Sequence, residues 1–170
     1  MNIELEGPAF VVGDDINTDY IISSTRKKET LDPGLLKAFL FESIDPGMAS
    51  SIRAGAILVT GRNFGCGSAM EVAVTAVVAA GIRAVLAQSF ARTYYRNAIN
   101  NGLIPVECDT RGIVNGAQLH VLLDPAGARV VDRTRGCEVA GHPLPAIMLQ
   151  ILSEGGLVPY FRKHHDFVTP

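Results

Sequence analysis

Tryptophan is absent from this chain of 170 residues, and aromatic residues make up only 6% of it. A surface that stacks nucleic-acid bases needs exposed rings, so that class of function is disfavoured from the start. Positive charge is scarce as well. The formal net charge is -2, and the longest basic cluster is Arg26-Lys27-Lys28. Binding to a phosphate backbone depends on many lysines and arginines gathered on one face, so nucleic acid is not expected as a partner. No apolar run is long enough to span a bilayer, and Met1 to Gly7 lacks the charged and apolar regions of a secretion signal. Neither a membrane nor a secreted setting is expected. Cysteine is limited to Cys66, Cys108 and Cys137, an odd count without a C-x-x-C spacing. That fits a reducing cytoplasm and argues against a metal or iron–sulfur site made wholly by this chain. There is no internal repeat and no low-complexity segment.

What is present is a globular composition, with 48% apolar and 19% charged residues. The length suits one domain spanning residues 1–170. Phe10-Val11-Val12 reads as a short strand, followed by a polar loop from Gly13 to Asp19 and a brief apolar return at Tyr20-Ile21-Ile22. Ser23 to Leu31 reads as a mobile polar segment. Asp32-Pro33 and Asp45-Pro46 are helix-start signals, with aspartate as N-cap and proline at the first helical position. Leu35, Leu36, Phe39 and Leu40 would form the apolar face of the first of these helices.

Two strand–helix units come next: strand 56–60 with helix 69–80, then strand 84–87 with helix 91–99, before a third strand at 103–107. Strands alternating with helices predict a parallel sheet. Gln118–Leu123, Ala128–Thr134 and Cys137–Ala140 then read as an antiparallel meander, and Leu144–Leu152 as a helix ended by Gly155-Gly156. The tail from Tyr160 reads as loose or docked on a partner. The predicted class is α/β, a parallel sheet with helices plus a small antiparallel section.

The densest signal is Gly61-Arg62-Asn63-Phe64-Gly65-Cys66-Gly67-Ser68, between the strand at 56–60 and the helix at 69–80. Glycines at such a turn allow positive φ and close approach of a ligand, and a helix start attracts an anion. Ligands of parallel sheets bind beyond the carboxyl ends of the strands, where this turn falls. The plain reading of Ser68 is an N-cap, since Ser68-Ala69-Met70-Glu71 fits the capping box. The functional reading gives it an exposed hydroxyl beside an anion site. Cys66 is a possible nucleophile, but a small residue tucked into a tight turn explains it better. Asx-turn chemistry suffices for Asp14 and Asp15, while Thr18-Asp19 enters an apolar strand. Arg92 and Arg96, alternating with Tyr94 and Tyr95, suggest partial burial. His120, His142, His164 and His165 read as structural or surface histidines.

Three stretches together carry a family resemblance: Gly13-Asp14-Asp15-Ile16-Asn17-Thr18-Asp19-Tyr20-Ile21-Ile22, Asn63-Phe64-Gly65-Cys66-Gly67-Ser68, and Ser89-Phe90-Ala91-Arg92 with Arg96 to Leu103. In order and spacing they resemble the small-subunit family of 3-isopropylmalate dehydratase, the stand-alone form of the aconitase swivel domain. The resemblance implies a swivelling β/β/α domain that pairs with a large subunit carrying a [4Fe–4S] cluster. The implied reaction is dehydration and rehydration of a malate-like di- or tricarboxylate, in leucine biosynthesis. It implies that Ser68 takes the substrate proton and that Thr18 and Asp19 are an active-site pair. Arg26 would lie in the loop that selects the substrate side chain, and Asn63, Gly65, Cys66 and Gly67 would complete substrate binding, with no metal ligand on this chain. Two places depart from the family. Ala69 and Met70 stand where a serine and a carboxylate-binding arginine are usual, and Ser24 to Thr30 replaces the usual Tyr-Leu-Arg-Thr loop. Arg26, Lys27 or Lys28 could supply the missing charge. Alternatively the substrate is a related malate, such as homocitrate, citramalate or 2,3-dimethylmalate, or the chain is a non-catalytic anion-binding module.

Overall fold

The computed structural model describes residues 2–167. A seven-stranded sheet organises the chain, in the order β4-β3-β2-β1-β5-β6-β7. Its strands are β1 (Ile3–Val11), β2 (Ile57–Val59), β3 (Ala84–Ala87), β4 (Ile104–Glu107), β5 (Gln118–Asp124), β6 (Gly127–Asp132) and β7 (Cys137–Gly141). The central strand β1 serves two sheet types. Ala9, Phe10 and Val11 pair in parallel with Ile57, Leu58 and Val59, whereas Ile3 to Pro8 pair antiparallel with β5. β2, β3 and β4 continue the parallel half, and β5, β6 and β7 form the antiparallel meander predicted from the turn residues.

Burial follows these pairings. β2 and β3 are buried along their whole length, as parallel strands covered on both faces must be. β5 alternates between buried and accessible residues, the pattern of a sheet with one wet face. The sheet curls until its edges meet: Cys108 beyond β4 bridges Gly141 of β7, and His142 N–H donates to the Glu107 carbonyl at 2.9 Å. Leu5, Ile57, Leu86, Val106, Val121 and Val130 pack as one inner core from both halves.

Helices close the rest. α1 (Thr18–Ile21), α2 (Ser24–Glu29), α3 (Pro33–Leu36) and α4 (Met48–Ser51) lie between β1 and β2; α5 (Val72–Ala79) and α6 (Arg92–Asn100) are the crossovers; α7 (Ala146–Ser153) and α8 (Leu157–His164) follow the meander. α5 packs Ala73, Val74, Ala76 and Val77 against Leu58, Val85 and the inward side chains of α1 and α3. No helix among the described residues is long and apolar enough to cross a membrane.

Several expectations are corrected. β1 begins at Ile3, well before Phe10, because Ile3 and Leu5 alternate with Glu4 and Glu6 in register with β5. Thr18-Asp19 enters a helix rather than a strand: Asn17 Oδ1 caps α1 by accepting from Tyr20 N–H at 3.0 Å. The segment from Ser23 is ordered as α2, whose N-cap is Ser23. Asp32 caps α3 as predicted, by accepting from Gly34 N–H at 2.8 Å. Leu36 and Leu40 are buried, but Leu35 is 59% exposed and Phe39 carries the Arg26 guanidinium on its ring face. Arg92 and Arg96 are exposed, and the residues that α6 buries are Tyr94, Ala98 and Ile99. The tail is helical through His164, with Tyr160 fully buried; the rest of that reading, at 168–170, lies outside the described residues.

Candidate functional site

The three sequence stretches meet at the carboxyl ends of β1, β2 and β3. Backbone bonds stitch them together. Asp15 N–H donates to the Arg62 carbonyl at 2.9 Å, Gly65 N–H to Ile16 at 2.8 Å, and Thr18 N–H to Cys66 at 2.9 Å. On the other side Phe64 N–H donates to Ser89 at 3.0 Å and Ala91 N–H to Phe64 at 2.8 Å. Side chains add to this. Asp14 Oδ1 accepts from Arg62 N–H at 2.8 Å, Asp15 Oδ1 accepts from Asn63 Nδ2 at 3.1 Å, and Ser89 Oγ accepts from Asn63 N–H at 2.8 Å. Local turn chemistry is therefore not enough to explain Asp14 and Asp15, since both tie distant loops. The Arg62 backbone N–H, and then its guanidinium, hold the Asp14 carboxyl below the usual aspartate range.

The glycines have separate duties. Gly65 has φ +77°, and a Cβ there would run into the Tyr94 ring, which packs edge-on against Phe64 with centroids 4.9 Å apart. Gly67 has φ +89° with ordinary clearance around it, so backbone conformation, and not space, selects glycine there. Between them Cys66 is half-buried and pairs in a parallel bridge with Asn17.

Ser68 is not the helix cap. α5 starts at Val72 after Glu71, with Ala69 and Met70 intervening, so the capping-box reading fails. The Ser68 hydroxyl is exposed and has no hydrogen-bond partner among the described residues. Its backbone carbonyl is held instead, by the hydroxyl of Thr18 at 3.0 Å. Ala69 beside it is exposed, whereas Met70 is 4% exposed and packs in the core beneath the turn. The residue that replaces the expected arginine therefore serves packing.

Asp19 lies beside this group, and its carboxylate accepts from the Ser24 hydroxyl, tying α1 to α2. Arg26 is drawn elsewhere. Its Nε donates to Glu42 Oε1 at 2.9 Å, its Nη2 to Glu42 Oε2 at 3.1 Å and its Nη1 to Glu29 at 3.2 Å, with Phe39 under the guanidinium at 3.8 Å. The Arg26 side chain holds Glu42 below the usual glutamate range. Glu42, Asn17, Ser24 and Ser89 were not singled out from the sequence. Asn17 stood inside the first stretch and Ser89 inside the third, but nothing local marks Glu42 as the partner of Arg26.

The residues of this chain do not fit an iron–sulfur cluster. Cys66 stands in the turn, Cys137 is exposed at the start of β7, and Cys108 is buried behind β4 with its thiol pushed up to about 12 by burial and by Asp109. A thiol held protonated is a poor cluster ligand. Among the described residues, Glu4, Glu6 and His120 come close enough to share a cation, on the outer face of the antiparallel half. Arg133 already occupies that group, 2.6 Å from Glu6 and 3.2 Å from His120 Nδ1.

An exposed serine on a glycine turn, at the open end of a curled mixed sheet, defines a class that comparison identifies. Residues 44–111 match the aconitase C-terminal domain family. The chain is 43% identical over 164 residues to 3-isopropylmalate dehydratase small subunit 2 of Archaeoglobus fulgidus, covering 96% of this chain and 98% of that protein. It is 42% identical over 159 residues to the 3-isopropylmalate dehydratase small subunit of Moorella thermoacetica, covering 94% and 95%. The crystal structure of a 3-isopropylmalate dehydratase from Methanocaldococcus jannaschii superposes with a TM-score of 0.88 at 37% identity, covering 96% of each chain. The chain belongs to the family of 3-isopropylmalate dehydratase small subunits, hydro-lyase subunits within the aconitase family.

Proposed function

We propose that this chain, as a single swivel domain in the cytoplasm, completes the active site of a heteromeric dehydratase. That enzyme would interconvert 2- and 3-isopropylmalate in leucine biosynthesis. The observation that carries this reading is the exposed hydroxyl of Ser68, without a partner among the described residues, on a turn stitched into the ends of β1, β2 and β3. A reactive group so exposed is half of a site, and the other half comes from the large subunit. The large subunit's iron–sulfur cluster supplies Lewis-acid chemistry for the leaving hydroxyl when bound.

In this mechanism Ser68 Oγ, as its alkoxide, takes the proton from the carbon next to the one bearing the hydroxyl. The C–H electron pair becomes the double bond, the C–O bond breaks, and the hydroxyl leaves as water with a proton from an acid group of the large subunit, which recovers that proton when water re-adds. Re-addition of water in the opposite sense returns the Ser68 proton to carbon. Asn63, Gly65, Cys66, Gly67 and Asp19 shape the substrate pocket around the turn. Arg26 orders α2 through Glu42, and Lys27 and Lys28, which form no ion pair among the described residues, offer charge to a substrate carboxylate.

A second reading, a related malate as substrate, is favoured by Ala69, an exposed methyl group where the family carries a serine. Reconstitution with the large subunit tests both. Turnover of 3-isopropylmalate by the pair, and none by this chain alone, supports the first. Turnover confined to homocitrate, citramalate or 2,3-dimethylmalate supports the second. Stable association without turnover of any malate would overturn both in favour of an assembly module.

A further inference from the structure

We infer that Thr18 is a positioning residue: a buried two-point clamp that sets the orientation of Ser68 without touching substrate. The inference rests on the reading of Ser68 as the proton carrier. Thr18 is 2% exposed, so its hydroxyl does not reach the open face on which Ser68 stands. It donates twice to the same turn, from its backbone N–H to the Cys66 carbonyl at 2.9 Å and from Oγ1 to the Ser68 carbonyl at 3.0 Å. The two accepting carbonyls straddle Gly67, the residue at φ +89°. A glycine there leaves the backbone free to take many conformations, and the two bonds remove that freedom. With both carbonyls held, the direction of the Ser68 Cα–Cβ bond is fixed.

The clamp is itself anchored. Thr18 opens α1, whose Ile21 is fully buried and whose N-cap Asn17 bridges Cys66. The Thr18 carbonyl accepts from Ile22 N–H at 3.0 Å, and the Ile21 carbonyl accepts from Phe41 N–H at 3.0 Å. Thr18 therefore transmits the rigidity of the core to a turn that would otherwise be loose. A threonine suits this place because its methyl group packs while its hydroxyl donates. Valine keeps the shape and loses the bond.

The test uses the reconstituted complex with 3-isopropylmalate as substrate. Thr18→Val is expected to lower kcat by roughly 10- to 100-fold, the scale of an ångström-sized misplacement of a reacting group, with KM changed less than about threefold. Thr18→Ser, which keeps the hydroxyl, is expected to hold kcat within about threefold of the native complex. A Thr18→Val complex with native kcat would overturn the clamp, and so would one in which KM alone rises, since that marks a hydroxyl in contact with substrate. Should Thr18→Val fail to fold, Thr18→Ser decides, because loss of kcat with the hydroxyl retained contradicts the clamp. Ser68→Ala run in parallel separates the two layers. If it keeps full turnover, the serine reading fails and the clamp with it. If it is inactive while Thr18→Val is native, the clamp alone fails.

Discussion

The two halves of the sheet share β1 and an inner core, yet they carry different loads. In the parallel half, β1, β2 and β3 all run the same way, so the turns that follow them collect at one end. Three sequence-distant loops meet there and bond to one another. In the antiparallel half the direction alternates, so successive turns fall at opposite ends, and the outer face is tied by Glu6, His120 and Arg133. Direction decides where chemistry can gather: parallel strands bring loops together, and antiparallel hairpins disperse them. The first half should be sensitive in activity and the second in stability.

The largest expected effect is on activity. Ser68→Ala in the reconstituted enzyme should cut kcat by about 10³-fold while leaving the melting temperature of this chain unchanged, the scale for removing a proton-transfer group. Near-native kcat would break the contrast between the halves at its centre.

The mirror experiment lies in β5. Leu119 is 1% exposed in the inner core, and Leu119→Ala should cost about 2–5 kcal/mol of stability by denaturant unfolding. The kcat of the folded complex should stay native; a fall at full folding would mean that the halves are coupled.

Gly65→Ala tests whether the site turn also holds the fold. Positive φ and the Tyr94 ring both oppose a Cβ there, so a loss of about 1–3 kcal/mol is expected in thermal unfolding. An unchanged melting temperature would show that the turn yields freely.

The smallest effect concerns acid. The Arg26 side chain holds Glu42 below its usual value of 4.5, so the pair stabilises the fold fully above that pH. Its contribution is lost as pH falls through the depressed folded value. Glu42→Gln should flatten the acid limb of stability below about 4.5 and change nothing at neutral pH beyond the lost charge pair. An unaltered acid limb would exclude the pair as a support of α2.

Legibility followed the range of the interactions. Asp32-Pro33, the helix that becomes α6, β3 and the three meander strands are readable because caps, turns and alternation act over a few residues. The helix at Thr18 to Ile21 is not legible in the sequence, which points to a strand, because four residues are too few to show a period. The hydrophobic returns at Ile21 and Ile22 serve either element equally well. Ser-x-x-Glu at Ser68 is a local signal for a cap, and it competes there with the functional reading; the chain starts its helix later, and the turn is held by Thr18 from another segment.

The sequence by itself determined the ordered motifs, the glycines whose positive φ no other residue adopts readily, and the family to which they belong. Only the tertiary structure decided what those residues do beside one another. It took Arg26 away from the turn and gave it to Glu42, turned Met70 into the core, left the Ser68 hydroxyl without a partner among the described residues and set Thr18 beneath it. The reason is physical. Propensity and capping are properties of neighbours along the chain, whereas a carbonyl's donor or a guanidinium's partner depends on which distant segments the sheet brings within about 3 Å.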